Sequence, residues 1–278
     1  MPAEIEHLSE RTGRHLAALG VQAIVTHFDL WSLIGQIGKA NRARDMLAEA
    51  GIGVAQVGGF RRRLIEPDDE LRRRGLAEVV AILPVVRALG STTFITGCGS
   101  LNDQAFYGPH PENHTDLARD RLVKSLRTLA PAAEDLGVQI ALECHLQTTL
   151  DSPWHIRTIL ERVGSPAIRA NFDPVNLLDS LSSVYQSADS MQRMWDVMNP
   201  VLARSAHLKD VVVDDALPLH ISEAPPGTGY LDLDVFFRLC KALGEGAPVI
   251  IEHLDAEEAV RAVAFIRRRA PEFGIVFG

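Results

Sequence analysis

The chain has 278 residues, 46% of them hydrophobic and 23% charged, with a net charge of −8, and a chain of that size buries a full core without disulfides or a structural metal. The negative balance withholds the positive field that a phosphate backbone requires, which argues against a nucleic-acid partner. No apolar run approaches the roughly 20 residues needed to cross a bilayer, which argues against a membrane protein.

The segment from Met1 to Gly20 is charged and amphipathic, without the apolar core of a signal peptide, and reads as a helix over Glu6 to Leu19. Together with three scattered cysteines, Cys98, Cys144 and Cys240, which form no CxxC pair, it points to a reducing, cytoplasmic setting. Short β-branched runs then recur at Val21 to Phe28, Ile52 to Val57, Thr92 to Thr96, Val138 to Glu143, Ile168 to Phe172, Ser205 to Leu208 and Val249 to Glu252. Their starts lie roughly 30 to 45 residues apart, the length of a βα unit with its loops. They are near-continuously apolar, as parallel strands covered on both faces are. Helical patterns fill the intervals. Between Asp120 and Gly137, for example, Val123, Leu126, Ala130, Ala133 and Leu136 recur at helical spacing, with Gly137 as the stop. Gly20, Gly51, Gly90, Gly164 and Gly244 stop other helices, and Asp151-Ser152-Pro153 starts one.

Repeated βα units build either an open doubly wound sheet or a closed barrel. No GxGxxG or Walker-type phosphate loop follows the first strand, so nothing favours the nucleotide-binding open sheets. Glu143, Asp173, His207 and Glu252 fall at the C-terminal ends of consecutive strands. A barrel gathers such ends into one ring, where its active sites are built, whereas an open sheet splays them along a line. The expected fold is therefore α/β, a (β/α)8 TIM barrel formed as a single domain over residues 1–278, with an atypical or missing first strand. Either Ala3 to Ile5 supplies that strand or, the preferred alternative, the C-terminal Ile275-Val276-Phe277 takes its place.

A carboxylate that ends an apolar strand is costly to bury unless something neutralises it. Ile140-Ala141-Leu142-Glu143-Cys144-His145 has one, and Val249-Ile250-Ile251-Glu252-His253 repeats the pattern. Asn171-Phe172-Asp173-Pro174 and Ala206-His207-Leu208-Lys209-Asp210 end two further strands. Each alone reads more readily as a solvated or base-paired residue; four at one rim read as a metal site. Three carboxylates and one imidazole suit one hard divalent ion, Mn²⁺ first, with Mg²⁺, Co²⁺, Fe²⁺ and Zn²⁺ as alternatives, although so thiolate-poor a shell argues against structural zinc.

These motifs carry a resemblance. Glu134-Asp135-Leu136-Gly137-Val138 leading to Ala141-Leu142-Glu143, then Asn171-Phe172-Asp173-Pro174-Val175-Asn176, His207-Leu208-Lys209-Asp210, Pro225-Pro226-Gly227-Thr228-Gly229 and Ile251-Glu252-His253, occur in the order and spacing of the xylose isomerase-like barrel superfamily. The chain resembles its branch of sugar phosphate isomerases/epimerases and inosose dehydratase-like proteins from about Gln22 onward, most strongly after Pro109. The resemblance implies one metal held by Glu143, Asp173, His207 and Glu252. It also implies that the two glutamates, as catalytic acid/base groups, exchange a proton beside a metal-polarised carbonyl. It implies a sugar or cyclitol substrate and a homodimer or homotetramer. The apparent loss of the first strand departs from the family and puts substrate contacts from that strand in doubt.

Further candidates have plainer alternatives. His145 either faces the pocket or lies only on its loop; Lys209, which with Asp210 follows His207, either stabilises an oxyanion or forms a salt bridge between strand ends. His110 and Asn113, on the long loop after Thr92 to Thr96, belong to a lid or to an ordinary loop. His27, Phe28 and Trp31 form an apolar wall for the sugar or pack the core, and His253 supports Glu252. Arg61-Arg62-Arg63 binds a substrate anion or is a solvated charge run. With no glycine-rich phosphate cradle near the last strands, an unphosphorylated substrate is favoured. Pro225 to Gly229 reads as a rigid turn before a helix near Asp232. The expected activity is that of a keto-sugar or polyol isomerase or epimerase. A dehydratase or lyase on the same scaffold, or a non-catalytic sugar-binding relative, is the alternative.

Overall fold

A computed structural model describes residues 4–275, and the chain divides into two compact units, residues 1–170 and 171–278. The first unit alternates α1 (Glu10–Ala18), β1 (Ala23–Thr26), α2 (Ile37–Glu49), β2 (Gly53–Gly58), α3 (Asp69–Ala88), β3 (Thr93–Gly97), α4 (Asp116–Leu136), β4 (Gln139–Glu143) and α5 (Pro153–Val163), and ends within β5 (Ile168–Phe172). The strands pair in sequence order and in parallel, with Val57 opposite Phe94, Gly97 opposite Glu143 and Ile140 opposite Ile168. Ile140, Ala141 and Leu142 are all fully buried, successive residues on opposite faces, so both faces of β4 are covered.

The local chemistry explains the helix ends. Thr115 accepts the Ala118 N–H to start α4, whose buried face is Leu122, Val123, Leu126, Leu129, Ala130 and Ala133. Gly137, at φ 59°, takes the left-handed cap that stops it. Ser152 caps α5 at the His155 N–H, with Pro153 in its first turn.

The second unit carries α6 (Leu181–Tyr185), α7 (Ser187–Met198), β6 (Leu202–Leu208), β7 (Asp210–Val213), β8 (Ile221–Ala224), α8 (Leu233–Ala242), β9 (Val249–Ile251) and α9 (Ala256–Arg269). β6 pairs in parallel with β9, which sets His207 opposite Ile250, while β7 and β8 form an antiparallel hairpin. Phe172 packs edge-on against Trp195 at 5.6 Å and stacks with Phe236 at 6.2 Å between ring centroids, the centre of this unit's core. Seven parallel strands thus run in the order β1-β2-β3-β4-β5-β6-β9 among the described residues. No helix there is long and apolar enough to cross a membrane.

All seven expected strands form, with ends shifted by up to three residues. At the N-terminus the helix starts later than expected, at Glu10, because Ser9 accepts the Thr12 N–H and Ile5–His7 makes a separate 3-10 turn. Ile5 is therefore not in a strand, and Ala3 lies outside the described residues, as do Val276 and Phe277 of the expected closing segment.

The Pro225 to Gly229 turn is organised by Asp210. Its carboxylate accepts four backbone N–H groups, from Val211 at 2.8 Å and from Gly227, Gly229 and Leu231 at 2.9 Å each. A β-carbon on Gly229 would sit 2.5 Å from Asp210 Oδ1 and collide with the Val211 carbonyl. Gly229→Ala is accordingly expected to destabilise the fold by about 1–3 kcal/mol, the usual range for overpacking a tight site. Urea unfolding measures it, and an unchanged midpoint would refute this account of the turn.

Candidate metal centre

Glu143 closes β4 and is 6% exposed. Tyr107, on the connection between β3 and α4, donates a 2.5 Å hydrogen bond from Oη to Glu143 Oε2. His145 places Nε2 3.3 Å from the same oxygen and lies against the Tyr107 ring, centroids 4.2 Å apart. Burial, then the Glu143 charge, pushes the Tyr107 phenol well above its ordinary range, so it stays a protonated donor. His145 thus lies beside Glu143 and Tyr107. An aromatic row continues from Tyr107 through Phe106 at 4.9 Å and Phe60 at 6.1 Å to His27, stacked on Phe60 at 6.0 Å. Phe28, by contrast, is core.

The remaining candidates of this unit fall into two groups. The Arg61 guanidinium lies 5.3 Å from the Trp31 ring centroid, a cation–π contact, while Arg62 is paired with Glu78 and Arg63 with Asp103. The basic run is thus largely tied up within the fold. His110 accepts the Glu112 N–H at 3.3 Å and shares a cleft with Arg63, Glu66 and Asp103. Asn113 is fully buried and knits the loop, accepting from the Leu101 N–H and donating to Ser100 Oγ and the Gln147 carbonyl.

In the second unit, Asp173, His207 and Glu252 each offer a ligand atom, and these atoms lie within 4.8 Å of one another. His207 Nδ1 is 2.9 Å from Glu252 Oε2 and 3.9 Å from Asp173 Oδ2. Asn176 donates to Asp173 at 2.9 Å. Lys209, its side chain 1% exposed, sets Nζ 2.6 Å from Glu252, 3.0 Å from Asp173 and 3.0 Å from Glu223. Lys209 thus forms salt bridges at the strand ends. Burial acts to lower its pKa, but Asp173, Glu252 and Glu223 outweigh that and raise it, so the ammonium stays charged. His253, at φ 58°, pairs with Glu223 rather than with Glu252, Nδ1 to Oε2 being 2.6 Å.

The donors fit a hard divalent ion. The buried Asp173, the partly buried Glu252 and the exposed Glu223 surround a single buried ammonium, Lys209, leaving surplus negative charge for a cation to neutralise, and the imidazole adds a donor suited to Mn²⁺ or Fe²⁺ as well as zinc. Tyr107 and Glu223 were not found from the sequence. Tyr107 sits in an aperiodic loop, and Glu223 lies on a short hairpin strand whose residues alternate weakly.

Parallel strands alternating with helices, with acidic and imidazole side chains where strands end, define the (β/α) barrel class. The family model described as xylose isomerase-like TIM barrel matches residues 14–269, and the chain belongs to that family. No curated protein matches it. Among solved structures it is similar to a xylose isomerase-like TIM barrel protein from Mycobacterium smegmatis in complex with magnesium, at 20% identity and a TM-score of 0.73, over 97% of this chain and 91% of that one. It is also similar to D-psicose 3-epimerase with D-tagatose from Clostridium cellulolyticum H10, at 15% identity and a TM-score of 0.72, over 98% and 95%. A third is the probable 3-DHS dehydratase of petrobactin synthesis from Bacillus anthracis, at 13% identity and a TM-score of 0.72, over 95% and 96%. At these identities the likeness is one of fold.

Proposed function

We propose that the chain is a divalent-metal-dependent isomerase or epimerase of a keto sugar or related polyol. The observation that carries this is the gathering of Asp173, His207 and Glu252 ligand atoms within 4.8 Å around surplus negative charge. Glu143, which ends β4, is proposed as the fourth ligand, with Mn²⁺ the preferred ion. Family membership supports the assignment, as do the sugar epimerases among similar folds.

Bound by these residues, the ion would supply a Lewis acid that polarises a substrate carbonyl and acidifies the C–H of the adjacent, hydroxyl-bearing carbon. Glu143 takes the proton at its carboxylate and Glu252 returns one, the two exchanging roles with the direction of reaction. Tyr107 and His145 hold Glu143, and the row of Phe106, Phe60 and His27 offers apolar faces to the carbon side of a sugar. Asp173 and His207 act as ligands.

A dehydratase is the second reading. It is favoured by His145, whose imidazole beside Glu143 supplies a further acid to protonate a departing hydroxyl, and by the dehydratase among similar folds. Incubation of the Mn²⁺-loaded protein with a keto-sugar and cyclitol panel in heavy water separates the two. Deuterium at one carbon without loss of water is the expected result. An enone-type ultraviolet band would assign the dehydratase, and neither signal with metal fully bound would refute both.

A further inference from the structure

β3 ends at Gly97, directly opposite Glu143 in the β3–β4 register. A β-carbon on Gly97 would stand 2.5 Å from Tyr107 Oη and 2.5 Å from its Cε1. The tyrosine ring therefore occupies the volume that any larger residue would fill. Through that opening Oη reaches Glu143 Oε2 at 2.5 Å, while His145 backs the ring and approaches the same oxygen. A buried carboxylate held this way cannot turn about its last bond without giving up a charge-assisted hydrogen bond.

We infer that Tyr107 is a positioning residue for the metal centre: its hydroxyl fixes the rotation of the Glu143 carboxylate, and Gly97 is the residue that admits it. This rests on Glu143 being a ligand, as proposed above. Tyr107 acts through Glu143 and takes no proton from substrate. Partners of this kind set the orientation of ligating side chains, and their removal typically weakens metal binding about 10- to 100-fold.

The test is Mn²⁺ titration of the metal-stripped full-length chain by calorimetry, with near-ultraviolet difference spectra, for the wild type, Tyr107→Phe, Gly97→Ala and the double variant. Tyr107→Phe is expected to weaken Mn²⁺ binding about 10- to 100-fold. Gly97→Ala should do the same, and the double variant should add little, because both changes remove one interaction. Loading the wild type should also perturb a tyrosine band, since Glu143 passes charge to the ion beside a buried phenol. The other two tyrosines, Tyr185 and Tyr230, are 56% and 53% exposed, so the band should vanish in Tyr107→Phe. A merely structural tyrosine would not give that signature.

Wild-type affinity in Tyr107→Phe, or a Mn²⁺-induced tyrosine band that survives the substitution, overturns the inference while leaving the metal site standing. A wild type that binds no Mn²⁺, or a Glu143→Gln variant that binds it as tightly, removes the metal reading and this inference together. Tyr107→Phe deletes a single oxygen and decides the question alone should Gly97→Ala fail to fold.

Discussion

Glu143→Gln and Glu252→Gln are each expected to lower turnover by at least about 10²-fold, the usual scale for losing an acid/base group, and to weaken Mn²⁺ binding. The amide keeps the shape of the carboxylate but neither its charge nor its basicity. At Glu143 the change turns a charge-assisted bond from Tyr107 into a neutral one. At Glu252 it removes the anion closest to Lys209, at 2.6 Å, and beside His207, at 2.9 Å. The two variants should fail by the same route, since one group is proposed to take the proton that the other returns. Single-turnover rates on the substrate found by the panel, measured at saturating Mn²⁺, separate lost chemistry from lost metal. Wild-type-like rates in both variants would end the assignment.

Much of this was legible because it is local. A parallel strand covered on both faces must be apolar at every position, so β4 announces itself as Ile140, Ala141 and Leu142, and Glu143 stands out as the residue that breaks the run. Helix stops were legible for an equally local reason: Gly137 and Gly164 adopt φ of 59° and 74°, which few other residues tolerate. What stayed hidden depends on register. That Gly97 lies opposite Glu143, and so opens a seat for Tyr107, follows from the pairing of two strands separated by a long connection and a helix. The Asp210 carboxylate looked like a follower of the His207 strand, yet its partners are N–H groups of Gly227, Gly229 and Leu231, across a hairpin that no hydrophobic alternation marks. His253 was expected behind Glu252. A backbone at φ 58° turns it to Glu223 instead, and no sequence pattern encodes that turn.

Lys209→Met should separate the stability of the centre from its chemistry. The Lys209 ammonium is buried among Asp173, Glu252 and Glu223, and removing it takes a counter-charge away from all three. Breaking a buried pair from one side costs roughly 3–5 kcal/mol, which corresponds to a fall of about 10 °C in the melting temperature of the metal-free chain. Because the folded-state pKa of Lys209 is raised, its contribution is fully present below the unfolded value of about 10.4 and is lost only as pH rises through the folded one. The difference between wild type and variant should hold flat from neutral pH up to about pH 10 and shrink above it. Mn²⁺ should then rescue the variant more than it stabilises the wild type. In the variant the ion supplies the positive charge that Lys209 no longer offers to Asp173 and Glu252, and ligand stabilisation grows with affinity for the folded state. Equal rises in melting temperature for both proteins would mean that the ion does not sit against the carboxylates that Lys209 neutralises, and the proposed centre would have to be moved elsewhere.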